Sequence, residues 1–121
     1  MTIKETESVL EREFLQAASK HSEFLRGHEP KKANREYDRL HKLKNKMRHL
    51  PDRGEALLKR IAANIDIEVQ ISAAAALLAV DEAYALKILK RIAETKVGLS
   101  SFTAEMTLKE WKKGSIKDYW K

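Results

Sequence analysis

Apolar residues recur at intervals of three and four along most of the chain, which is the period of amphipathic α-helices. The first such segment is predicted to be helical from about Thr6 to Leu25, with four glutamates near its start and Gly27 beyond its end. Carboxylates stabilise the positive end of a helix dipole, and glycine accepts the backbone conformation that ends a helix. A second helix is predicted from Glu29–Pro30 to Leu50, where Leu43 or the stem of Lys44 completes a thin apolar stripe.

Aspartates mark the starts of the next three predicted helices. Asp52, Asp66 and Asp81 each precede an apolar periodic segment, and aspartate is a favoured N-cap because its carboxylate accepts a hydrogen bond from a backbone N–H of the first turn. The fourth helix is predicted over Ile67–Ala79. From Ile71 to Val80 the sequence is apolar on nearly every side of that helix. A helix of that kind is buried on all sides, so it is predicted to be the central helix.

The remaining helices are predicted over Glu82–Thr95 and Ser101–Lys113. Gly98 separates them, and Gly114 ends the second. Trp111 is expected to cap the core, and the last helix also carries Phe102 and Met106 among its apolar residues.

One five-residue sequence, Leu-Lys-Arg-Ile-Ala, occurs at residues 58–62 and again at residues 89–93. The same offset of 31 residues aligns Ile71 with Phe102, Ala73 with Ala104, and Leu77 with Leu108. Two ordinary amphipathic helices can share five residues by chance, but the register continues into the following helix. A period of this length is typical of stacked helical hairpins.

A second pattern starts with Asp66-Ile67-Glu68-Val69 and continues with Ala73, Ala74, Leu77, Ala83, Leu86, Leu89, Ile92 and Ala93. It resembles the HEAT and armadillo repeats, and the resemblance covers roughly residues 52–113. The resemblance implies an all-α fold, a short HEAT-like right-handed α-α superhelix of about six helices. The chain is expected to form a single helical domain, 1–121. Its parts would be two N-terminal helices in 1–50, two hairpins in 52–113 and a tail in 114–121.

The net charge of +6 is concentrated in one segment, since residues 26–60 alone carry +7. Much of it falls on the second helix, which makes that helix a candidate face for a partner protein or a nucleic acid. The nucleic-acid alternative takes residues 31–60 as its footprint, and a solvated face with no partner is the third interpretation. The candidate binding residues of the helix are Lys31, Lys32, Arg35, Arg39, Lys42, Lys46 and Arg48.

Candidate catalytic chemistry is sparse. The chain has no cysteine, and its histidines, at 21, 28, 41 and 49, are separated by seven, thirteen and eight residues. That spacing does not place two ligands one helical turn apart, and His21 is expected to pack in the core. No phosphate-binding glycine motif or nucleophile elbow is present. We therefore predict no enzyme activity, no cofactor and no metal. The longest apolar stretch, Ala73 to Val80, is far shorter than the ~20 residues that span a bilayer, so we also expect a cytoplasmic protein without a membrane-spanning segment.

The closing stretch, Ala104 with Leu108-x-x-Trp111-x-x-Gly114, resembles a small family of bacterial helical proteins of unassigned biochemical function. Members of that family are similar to immunity proteins, which bind and silence a toxin made by the same cell. The resemblance implies a non-catalytic partner of a toxin domain, here one with an acidic surface. Tyr119 and Trp120 are further candidate contacts, and the chain is expected to be a monomer or a weak homo-oligomer.

Overall fold

The computed structural model describes residues 2–114, which contain six α-helices and no β-strand. The helices are α1 (Ile3–Arg26), α2 (Pro30–Met47), α3 (Glu55–Ala62), α4 (Ile67–Leu77), α5 (Glu82–Glu94) and α6 (Gly98–Lys113). The all-α class is therefore confirmed. By their contacts the described residues divide into two units, with the boundary between Leu57 and Leu58 inside α3.

In the first unit, α1 and α2 form a helical hairpin because the connection between them is only three residues long. The shared core is apolar and fully enclosed at Phe14 and Ala17 of α1 and at Ala33 and Met47 of α2. Pro30 opens α2, where its missing N–H costs nothing since the first N–H groups of a helix have no partner within it. The long hairpin thus fixes which side of α2 faces solvent.

The connection from α2 to α3 is a tight turn held by Asp52. Its carboxylate accepts hydrogen bonds from the backbone N–H groups of Gly54 at 3.0 Å and Ala56 at 2.9 Å. The Ala56 bond is the main reason that the pKa of Asp52 lies below its usual value. Gly54 has a φ of +81°, and a Cβ added to it would lie 3.0 Å from Cβ of Met47. Glycine is therefore required here both by the backbone angle and by the space.

In the second unit, α4 is more enclosed than α5 or α6, with none of residues 71–77 exposed, as its composition predicts. Ala73, Ala74 and Leu77 are completely buried, and α5 and α6 both pack against α4. Two of the predicted aspartate caps are confirmed, one at the start of α4 and one at the start of α5. Asp66 accepts from the N–H of Glu68 at 2.9 Å, and Asp81 accepts from the N–H of Tyr84 at 3.2 Å.

Helix α6 differs from its prediction in two respects. It begins at Gly98 rather than after it, with a φ of +69° at that glycine. Trp111 is buried, as expected, but Phe102 is 59 % exposed and Met106 is 38 % exposed. The reason is geometric: Ala104 and Trp111 define the side of α6 that faces the core, and Phe102 and Met106 lie on the opposite side of the helix.

Candidate binding surfaces

The exposed side of α2 carries four cations in one line. Lys31, Arg35, Lys42 and Lys46 are separated by four, seven and four residues and are all exposed. These spacings place them within one narrow sector of the helix, opposite the buried residues, over a length of about 22 Å. None of the four forms an ion pair within residues 2–114. We call these four residues the basic face of α2.

Three other predicted cations lie off this face and have other contacts. Lys32 pairs with Glu29 at 3.0 Å and lies 5.7 Å from the ring centre of Phe24. Arg39 pairs with Glu36 at 3.3 Å and donates to Gln16 of α1 at 3.3 Å. Arg48 is half-buried at the end of α2. Partial burial, followed by the nearby charge of Arg53, lowers the pKa of Arg48.

Tyr119 and Trp120, the two aromatic candidates, lie outside the described residues. The candidate surface of the described chain is therefore smaller and more regular than the sequence prediction. It consists of four cations on one side of one helix.

The buried side of α2 contains an unusual amine. Lys44 is only 6 % exposed, and burial, with a smaller contribution from the charge of Arg48, lowers its pKa to about 7. His41, one turn earlier, is half-buried, and burial followed by the charge of Lys44 lowers its pKa to about 4. The positive charge of α2 is therefore carried mainly by its solvent side.

His21 belongs to a short row of rings rather than to the enclosed core. Its ring centre lies 5.9 Å from that of Tyr37, and the ring of Tyr37 contacts His41 edge-on at 4.6 Å. The three residues join α1 to α2 along the flank of the hairpin. Because aromatic pairs of this geometry stabilise packing, a structural role accounts for this row.

The second unit carries an open groove that sequence patterns did not indicate. It lies between the start of α4 and the connection from α5 to α6, with a volume of about 590 Å³. Its lining combines Ile67, Ile92 and Val97 with the side chains of Gln70 and Arg91. The only signal available from sequence is Val97 itself, an apolar residue that belongs to no predicted helix face.

Residues 2–114 contain no group of three or more histidine, aspartate or glutamate side chains placed to hold a metal ion. In the same residues, every helix is too short or too polar to cross a bilayer. Comparison with protein-family models, with curated proteins and with solved structures finds no match to this chain.

Proposed function

We propose that this chain is a non-catalytic binding protein that docks an acidic surface of a partner protein against the basic face of α2. The observation that carries the proposal is the line of four exposed cations, none of which has a carboxylate partner in the described chain. Like charges at such spacings repel one another in the free protein. A complementary acidic surface removes that repulsion and speeds association by electrostatic attraction.

Asp38 favours a protein over a nucleic acid as the partner. It is exposed and lies on the same side of α2, between Arg35 and Lys42. A carboxylate in the middle of the basic face repels a phosphate backbone, whereas a protein surface of mixed charge can place a cation opposite it. In its most specific form the partner is a toxin domain, the chain is its immunity protein, and both act in the cytoplasm. That form is supported by the resemblance of the Leu108–Gly114 ending.

A nucleic acid is the second candidate partner, because the cations of the basic face are spaced regularly along the helix. Cations one and two helical turns apart, about 6 and 10 Å along the axis, can follow a phosphate backbone and give binding that weakens steeply with salt. Fluorescence anisotropy with mixed-sequence duplex DNA and single-stranded RNA tests this candidate. Micromolar binding that is lost on adding salt favours it over the protein partner.

The principal test is affinity capture from the source cell with three versions of the full chain. One is the wild type, and the second reverses the charge of the basic face with four substitutions to glutamate. The third reverses four exposed cations of the second unit and thus has the same net charge. Its substitutions are Lys87→Glu, Lys90→Glu, Lys112→Glu and Lys113→Glu.

We expect one protein to be captured by the wild type and by the third version and to be lost from the α2 variant. Co-expression of that protein then tests whether it is toxic and whether the wild-type chain restores growth. Capture that is equal for all three versions contradicts a role for the basic face. A captured partner without toxicity leaves the binding function and removes the immunity form.

We also propose that α3–α6 stack as two HEAT-like hairpins. Two of the aligned pairs support this arrangement, because Leu58 and Leu89 are both buried and so are Ala73 and Ala104; the pair Ile71 and Phe102 differs, since only Ile71 is buried. An experimental structure of residues 52–113 within the full chain tests it. A left-handed or crossed arrangement of the two helix pairs would exclude it.

A further inference from the structure

The groove of the second unit has an apolar floor that opens onto exposed aliphatic side chains. Ile92 is buried at its base, while Ile67 is 46 % exposed and Val97 is 72 % exposed. Apolar side chains gathered around an open groove are typical of surfaces that a partner covers.

Arg91 lines the wall of this groove and forms a hydrogen bond there. Its guanidinium donates a hydrogen bond to the side-chain carbonyl of Gln70 at 2.9 Å. The amide N–H of Gln70 donates in turn to the backbone carbonyl of Asn64 at 2.8 Å. Both ends of the Gln70 amide are therefore used, and its oxygen is held facing Arg91.

The hydrogen bond to Gln70 orients the guanidinium of Arg91 but does not neutralise its positive charge. Its hydrogen-bond partner is a neutral amide, and within residues 2–114 no carboxylate forms an ion pair with it. Guanidinium has five N–H donors in a planar fork that suits a carboxylate. Arg91 can thus accept a carboxylate from outside the chain without first breaking an internal ion pair.

We infer that this groove binds a peptide segment of a partner protein in which a large apolar side chain lies close to an aspartate or glutamate. The apolar side chain would enter the floor between Ile67 and Val97, and the carboxylate would meet Arg91. The positive charge of Arg91 favours a segment that carries a carboxylate. The exposed side chains of Ile67 and Val97 favour a segment that also contacts the surface beside the groove. The inference goes beyond the proposed function, because the groove is distinct from the basic face of α2 and its partner segment must also be apolar.

The test is selection of a random peptide library on the immobilised full chain, followed by affinity measurement of the selected peptides. We expect enrichment of peptides with an aromatic or long aliphatic residue near an acidic residue. Arg91→Gln should weaken their binding about 10- to 100-fold, which is the usual effect of losing a charge-assisted hydrogen bond. Val97→Asp should abolish binding by placing a carboxylate at the exposed rim of the apolar floor.

Lys90→Gln is the matched control, since it removes an exposed cation from the neighbouring position of α5 and should leave binding unchanged. Circular dichroism of each variant establishes that it is folded. The inference is overturned if no peptide is enriched, or if selected peptides bind the Arg91→Gln and Val97→Asp variants as tightly as the wild type. Peptides that lose binding on charge reversal of α2 but not on Arg91→Gln would support the basic face and exclude the groove.

Discussion

Lys44 provides a test of how the first unit is packed. It is a lysine at 6 % exposure on the core side of α2, and the proposed perturbation is Lys44→Met, which keeps the long apolar stem and removes the amine. In the folded chain, burial lowers the pKa of Lys44 from 10.5 to about 7. In the unfolded chain the amine is hydrated and keeps its ordinary pKa.

Between those two values the unfolded state binds the additional proton, so raising the pH stabilises the folded state. A shift from 10.5 to about 7, at about 1.4 kcal/mol for each tenfold change in proton affinity, sets an upper limit of about 5 kcal/mol. Local opening of α2 that hydrates the amine without unfolding the chain reduces this figure. We therefore expect the free energy of unfolding to rise by about 2 to 5 kcal/mol across this window.

The measurement is urea unfolding followed by far-ultraviolet circular dichroism at several pH values from about pH 7 to pH 10. Lys44→Met should remove most of the rise. Lys42→Met, which alters an exposed lysine of the same helix, should keep it. If wild-type stability is flat over this range, or if Lys44→Met retains the full pH dependence, then Lys44 is not buried as described and the packing of α2 must be revised.

Three further predictions concern stability and use the same unfolding assay. Asp66→Ala removes the cap of α4 and should cost about 1 kcal/mol, whereas Asp66→Ser should cost less than half of that; equal losses would show that the cap bond contributes little. Gly54→Ala should cost at least about 2 kcal/mol and Gly98→Ala about 1 kcal/mol, because both have a positive φ but only Gly54 has atoms within 4 Å of the added Cβ. A larger loss for Gly98→Ala than for Gly54→Ala would contradict the close packing of Met47 against Gly54. Trp111→Ala should cost about 3 to 5 kcal/mol and Phe102→Ala less than about 0.5 kcal/mol, since the former is 7 % and the latter 59 % exposed; similar losses would place Phe102 in the core.

Local sequence signals predicted the helices and their caps because those features depend on residues close together in the chain. Asp66 and Asp81 cap the helices that follow them, and the alanine-rich segment forms the enclosed helix α4. Either Leu43 or the stem of Lys44 was expected to complete the apolar stripe of α2, and both residues are buried. The lowered pKa of Lys44 was not predicted, because desolvation depends on what covers the amine.

The periodic pattern of α6 was a weaker guide. An apolar residue every three or four positions marks a face without saying which face is buried, and α6 has apolar residues on two sides. Ala104 and Trp111 face the core, while Phe102 is exposed. The groove was missed for a different reason: Gln70 and Arg91 are 21 residues apart, and no sequence rule joins an amide and a guanidinium at that distance.

The preference of the groove for a carboxylate depends on one atom, the side-chain nitrogen that makes residue 70 a neutral glutamine and not a glutamate. Its nitrogen donates to Asn64 and its oxygen accepts from Arg91, so a glutamate at this position would set a carboxylate oxygen against the Asn64 carbonyl and neutralise Arg91. Deamidation, the slow hydrolysis of a glutamine side chain to glutamate, causes this change without any mutation. The groove would then lose its preference for carboxylates while the fold stayed intact. A Gln70→Glu variant, which reproduces the product of this hydrolysis, should keep its helical content and lose the affinity for acidic peptides that the wild type has.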